Sequence, residues 1–212
     1  MRILILGSSN PWRMEAAVER ALARLGHRTL LLDDRRTKRL IGHALTQRLI
    51  AARARSFAPD FVVLSKCHAL TPETVASIIA GRPNAMWYHD PQWHRDLHRP
   101  DIAHIAAIGR LADSFFVTGF DAEWRAHGLR AKLLPAAGDA AIVPVPTDPR
   151  FASDLAFIGS GYDPERAALL VELARREQVR VWGPGWDRWR EELNWNGRSV
   201  EGREFAAVCS SA

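Results

Sequence analysis

Leu155-Ala156-Phe157-Ile158-Gly159-Ser160-Gly161-Tyr162-Asp163-Pro164-Glu165-Arg166 compresses a strand, a glycine turn and a helix start into one short stretch. Leu155 to Ile158 is too brief an apolar run for a helix and suits a buried strand. Asp163 reads as an N-cap with Pro164 at the first helical position, where its missing N–H leaves no bond unmade. A helix is expected from Pro164 to Glu177 and a second strand from Val179 to Trp182. Strand, helix and strand in this order form a right-handed crossover in a parallel sheet.

Immediately upstream, the residues between Pro135 and Pro149 include Val143-Pro144-Val145-Pro146-Thr147-Asp148-Pro149, too rich in proline for a helix or a central strand. We read residues 138–153 as a linker that divides residues 1–137 from residues 154–212. The first part shows the same alternation at greater length. Arg2 to Leu6 is a strand ending at Gly7, and a helix from about Trp12 to Leu25 stops at Gly26. Arg28 to Leu32 is a strand, a basic helix follows, and Phe61 to Leu64 is a strand entered through Pro59-Asp60. Then come a helix over Pro72 to Ala80, strands over Ala85 to Tyr88 and Ser114 to Thr118, a short helix over Asp121 to His127 and a strand over Ala131 to Leu134. The expected fold is α/β: a Rossmann-like parallel-sheet domain followed by a partial second one. Only about sixty residues follow the linker, short for a doubly wound domain.

Among the 212 residues, 47% are hydrophobic and 25% charged, a globular mixture. Ile3 to Leu6 is too short for a membrane span or a signal core, and Cys67 and Cys209 form no CxxC, so a cytoplasmic protein with reduced thiols is expected. The formal net charge is +5, with part of the excess on Arg35, Arg36, Lys38, Arg39, Arg48, Arg53 and Arg55. Within that stretch Ile41, Leu45, Leu49 and Ala52 recur at roughly helical spacing, which predicts an amphipathic helix with a basic outer face. A solvated surface is the plain reading of that face. Peripheral contact with an anionic membrane is the alternative, and nucleic acid is disfavoured because no nucleic-acid motif accompanies the charge.

Parallel sheets bind ligands beyond the carboxyl ends of their strands, so the loops that follow strands are the candidates for chemistry. After the first strand, Gly7, Ser8 and Asn10 offer a turn that a ligand can approach closely, although the pattern is not GxGxxG and a bare strand-to-helix turn explains it equally. After the strand ending at Tyr88 come His89 and Asp90, the residue types that take a proton from an attacking hydroxyl. His94, Asp96, His98, Asp101 and His104 continue this segment, and His94 with His98 has helix-borne metal-ligand spacing, but no complete metal motif is present. Structural hydrogen bonding is the plain alternative for His89 and Asp90. In the second part, Gly159, Ser160 and Arg166 are suited to a diphosphate at a helix N-terminus, opposed by Asp163 and Glu165, with a structural ion pair as the counter-reading for Arg166. Gly183, Gly185 and Trp186 form a rigid turn flanked by indoles that either walls a sugar or nucleotide or packs in the core.

Taken together, Arg2-Ile-Leu-Ile-Leu-Gly7, Leu25-Gly26-His27, Pro59-Asp60, the tryptophan-to-Asp90-Pro91 segment, Leu155-Ala-Phe-Ile-Gly-Ser160 with Arg166, and Val181-Trp-Gly-Pro-Gly-Trp186 resemble the CgeB-like, spore-maturation type of glycosyltransferase in the GT-B superfamily. The resemblance spans nearly the whole chain. It implies sugar transfer from a nucleotide-sugar donor to an acceptor hydroxyl, with no cofactor and no bound metal. It places Gly7, Ser8, Asn10, His89 and Asp90 on the acceptor and catalytic side, and Gly159, Ser160, Arg166, Gly183, Gly185 and Trp186 on the donor side. Family members carry a longer C-terminal half that includes an acidic residue gripping the donor ribose. A shortened second domain would expose an edge and so permit self-association. Two other readings stay open: a non-catalytic α/β module that binds a nucleotide or a partner, and a metal-dependent hydrolase built on the segment from His89 to His104.

Overall fold

The computed structural model describes residues 1–90, 100–140 and 142–212. It divides into two compact units, Met1–Ala137 and Gly138–Ala212. In the first unit, β1 (Arg2–Leu6), β2 (Arg28–Leu32), β3 (Phe61–Leu64), β4 (Asn84–Tyr88), β5 (Ser114–Val117) and β6 (Ala131–Leu133) form a six-stranded parallel sheet of order β2-β1-β3-β4-β5-β6. β1 lies between β2 and β3, with Leu4 opposite Leu30 on one side and Val62 on the other. Helices cover both faces of such a sheet, so this interior strand buries most of its side chains: Leu4, Ile5 and Leu6 have no exposed surface.

The crossovers are α1 (Met14–Arg24), α2 (Asp34–Ile41) with α3 (His43–Phe57), α4 (Pro72–Ile79), α5 (Pro100–Leu111) and α6 (Asp121–Ala126). The α/β expectation holds, with three local differences. The basic segment is two helices, because Gly42 takes a φ of +80° that breaks the ladder between them. Its buried face is also a different one. Thr46, Ile50, Ala51 and Ala54 face the core, whereas Ile41, Leu45, Leu49 and Ala52 are exposed together with the arginines. Finally, α5 was not anticipated. Pro100 is its first residue, where proline is tolerated, and does not interrupt it.

In the second unit, β7 (Leu155–Ile158), β8 (Val179–Trp182) and β9 (Asn194–Trp195) form a parallel sheet of order β7-β8-β9, accompanied by α7 (Pro164–Ala174) and α8 (Gly202–Ser210). Ala167, Leu170, Val179, Val181, Trp186 and Leu193 make one hydrophobic cluster. Phe151, Trp182, Val200 and Val208 make another. β9 is too short to leave a periodic trace in sequence. No helix among the described residues is long and apolar enough to cross a membrane.

Candidate functional site

β1 connects outward to β2 on one side, while β3 and its successors lie on the other. This reversal of strand order leaves a crevice beyond the carboxyl ends of β1 and β3, the position where open parallel sheets take their ligands. A cavity of about 1390 Å³ sits there. It is lined by the residues that follow β1 (Gly7, Ser8, Asn10), β2 (Asp33, Asp34), β3 (Ser65, Lys66) and β4 (His89, Asp90). Five of the residues singled out by sequence, Gly7, Ser8, Asn10, His89 and Asp90, therefore share one cavity.

The floor of the cavity is polar and closely fitted. Glu15, in the first turn of α1, is 6% exposed and accepts a hydrogen bond from Ser65 Oγ at 2.7 Å. His89 Nε2 lies 3.9 Å from the same Glu15 Oε1, and its Nδ1 is buried with no hydrogen-bond partner among the described residues. Burial, followed by the positive charge of Lys66, holds the His89 imidazole below its ordinary 6.5, although Glu15 and Asp90 pull the other way. It is therefore neutral near pH 7. Asp90 makes a 2.6 Å ion pair with Lys66. Lys66 and the fully buried Cys67 both adopt left-handed backbone, at φ +57° and +48°. Such conformations cost about 1–3 kcal/mol each and persist where the surroundings enforce them, commonly in ligand loops.

Gly7 is required by Glu15. A Cβ at position 7 would stand 2.5 Å from Glu15 Cγ and 3.1 Å from Ser65 Cβ. Gly7→Ala is expected to cost about 1–3 kcal/mol of unfolding free energy by overpacking. Urea denaturation measures this, and Gly7→Ala combined with Glu15→Ala should recover most of the loss.

Asp33 organises the rim. Its Oδ2 accepts from Ser9 N–H at 2.8 Å and from Ser9 Oγ at 3.0 Å, while Oδ1 accepts from Arg36 N–H at 2.8 Å as the N-cap of α2. Burial works to raise its pKa, but these hydrogen bonds together hold the carboxylate below its ordinary value. Its neighbour Asp34 is 2% exposed and accepts from Ala69 N–H at 2.7 Å, with burial pushing its pKa up. Sequence reading passed over Glu15, Asp33, Asp34, Ser65 and Lys66. An acidic pair directly after the second strand of a βαβ unit is a readable signal; the reach of Glu15 across to Ser65 is not.

His94, Asp96 and His98 lie outside the described residues, as does the side chain of Asp101. His104 is on α5, where its Nε2 is 2.9 Å from the Cys67 carbonyl and its ring stacks on His68 at 6.2 Å. Among the described residues no three histidine, cysteine or acidic side chains gather as a metal site.

In the second unit, the two glycine turns interlock. The Trp186 indole N–H donates to the Gly159 carbonyl at 2.8 Å, Gly159 N–H donates to Trp182 O at 2.9 Å, and Gly161 N–H donates to Pro184 O at 2.9 Å. Gly183 has a φ of +129°, and a Cβ there would overlap the Gly159 carbonyl; one at Gly185 would overlap the Tyr162 ring. Trp186 has no exposed surface, so of its two readings core packing is the one seen. Arg166 donates to the Ser160 carbonyl at 3.0 Å, lies over the Phe157 ring at 5.7 Å, and has a terminal nitrogen 3.9 Å from Asp163 Oδ2. The guanidinium thus braces the turn from below. Arg166→Ala should lower stability by about 1.5–3 kcal/mol, the range for a charge-assisted hydrogen bond, read as a drop in the unfolding midpoint.

The solved structure of the lipopolysaccharide outer core galactosyltransferase WaaB in its apo form superimposes with a TM-score of 0.52 at 14% identity, covering 94% of this chain and 69% of that one. The likeness is one of fold, α/β units built on parallel sheets. Lower scores are found for Glycyrrhiza uralensis UGT73P12 complexed with glycyrrhetinic acid 3-O-monoglucuronide (TM-score 0.49, 11% identity, 90% of this chain and 59% of that one) and for spinosyn rhamnosyltransferase SpnG (0.37, 13%, 94% and 70%). No protein-family model and no curated protein sequence matches the chain.

Proposed function

We propose that the chain belongs to a glycosyltransferase that moves a sugar from a nucleotide-sugar donor to an acceptor hydroxyl, and that the first unit holds the acceptor. The observation that carries this reading is the switch-point cavity with a neutral, buried His89 backed by Glu15 on its floor. A neutral imidazole in such a place is suited to take the hydroxyl proton as the acceptor oxygen bonds to the anomeric carbon and the bond to the nucleoside diphosphate breaks. Glu15, fixed by Ser65, then stabilises the imidazolium that results. Asp90 is the poorer base of the two, because the Lys66 ammonium at 2.6 Å already engages its carboxylate. Gly7, Ser8 and Asn10 supply the acceptor wall. For the donor we propose the turn of Gly159 and Ser160 before α7, shaped by Arg166, Gly183, Gly185 and Trp186. The CgeB-like resemblance favours the same division of labour and a reaction that uses no metal.

Isothermal titration with uridine, guanosine and thymidine diphosphates and their sugars, together with assay of diphosphate release, tests the proposal. Binding of one nucleotide series with sugar-dependent release is expected. Failure of every nucleotide to bind the protein would instead favour a non-catalytic module.

A further inference from the structure

The stretch from Arg35 to Pro59 holds seven of the chain's 29 lysines and arginines and none of its 24 acidic residues, leaving 22 cationic against 24 acidic side chains elsewhere. The whole formal excess of +5 is therefore on α2 and α3. The same two helices carry large apolar side chains on their outer surface: Leu40 is 75% exposed, Leu45 54%, Leu49 44% and Ile41 38%. Leu45 and Leu49 are one helical turn apart on α3, with exposed Arg48 and Arg53 beside them. Scattered exposed leucines need no explanation, but a stripe that coincides with the densest positive charge in the chain does.

We propose that α2 and α3 form a docking face for an anionic lipid bilayer. Leucine and isoleucine enter the boundary between headgroups and acyl chains while the arginines and lysines engage phosphate headgroups, which is the pattern of interfacial amphipathic helices. Charge selects this occupant. A second copy of the chain seated on this face would bring an equally cationic surface against it, and nucleic acid would neutralise the cations but leave the leucines without a role. α2 also belongs to the cavity, which Arg35, Arg36, Lys38 and Arg39 line from one side. Docking by this face brings the cavity rim to the headgroup layer. On the glycosyltransferase reading, the acceptor is then a hydroxyl compound carried on a lipid.

Co-sedimentation with vesicles tests the docking without any sugar nucleotide, so its outcome is separate from that of the catalytic proposal. Vesicles of phosphatidylcholine with roughly a third phosphatidylglycerol should bind the protein at about 0.1 M salt, and binding should fall at least about tenfold at 0.5 M, where the Debye length is about half as long. The pair Leu45→Gln and Leu49→Gln, and separately the pair Arg48→Gln and Arg53→Gln, should each weaken binding at least about tenfold. Both pairs are exposed, so the unfolding midpoint should stay unchanged and report that the fold is intact. Absence of binding to the anionic vesicles at low salt overturns the proposal. So does binding that the leucine pair leaves untouched, as does tighter, leucine-independent binding to duplex DNA. A concentration-dependent dimer that the leucine pair abolishes would assign the face to a second copy instead.

Discussion

His89→Ala is expected to reduce turnover by about 10²–10⁴-fold, the usual contribution of a positioned general base, with donor affinity unchanged. The pH profile gives the sharper reading. Burial and the Lys66 charge hold the imidazole below 6.5, so the deprotonated, active form persists to lower pH than a free histidine would allow. The acid limb of turnover should accordingly fall below pH 6.5. Glu15 pulls that pKa upward, so Glu15→Gln should shift the limb further toward acid while lowering the plateau. Those two effects together separate a positioning role from a structural one, because a variant that merely loosens the unit would lower activity without moving the limb in that direction. A limb unmoved in Glu15→Gln, or turnover retained in His89→Ala, would remove His89 from the reaction.

Gly183→Ala should produce the largest loss of stability of any conservative change in the second unit, at least about 3 kcal/mol. The reason is twofold: φ at this residue is +129°, a region that side chains rarely enter, and the new Cβ has only the Gly159 carbonyl to displace. That carbonyl cannot retreat without breaking its bond from the Trp186 indole, which has no exposed surface. Urea unfolding monitored by tryptophan fluorescence measures the change. If Gly183→Ala cost no more than Arg166→Ala, the interlock of the two turns would be less rigid than its geometry requires.

Much of the architecture was legible because it rests on local chemistry. Strands such as Ile3–Leu6 within β1 and Leu155–Ile158 are apolar runs bounded by glycine or charge, and Asp163-Pro164 marks the start of α7 without ambiguity. Two of the four cavity loops, those after β1 and β4, could be named for the same reason, since each follows a recognisable strand. What escaped depends on partners distant in sequence. Periodicity puts Ile41, Leu45 and Leu49 on one helical face, but Gly42 divides them between two helices, and only packing reveals that Ile50 and Ala54 are the residues turned inward. Small residues at Thr46, Ala51 and Ala54 let α3 approach the core closely, and the usual rule that the most apolar face is buried fails there. Glu15 escaped for a similar reason: its partners Ser65 and His89 lie fifty and more residues away. At Gly183 and Gly185 the glycines were visible, yet nothing local told that their empty space is filled by another turn of the same unit.

One carboxylate joins α2 to the loop that walls the cavity. Asp33 grips the loop after β1 with one oxygen and the first turn of α2 with the other. A tilt of α2, whatever imposed it, would therefore pull on Ser9 and on the cavity wall. Helix and loop thus share one fastening point, and the carboxylate of Asp33 is its fulcrum.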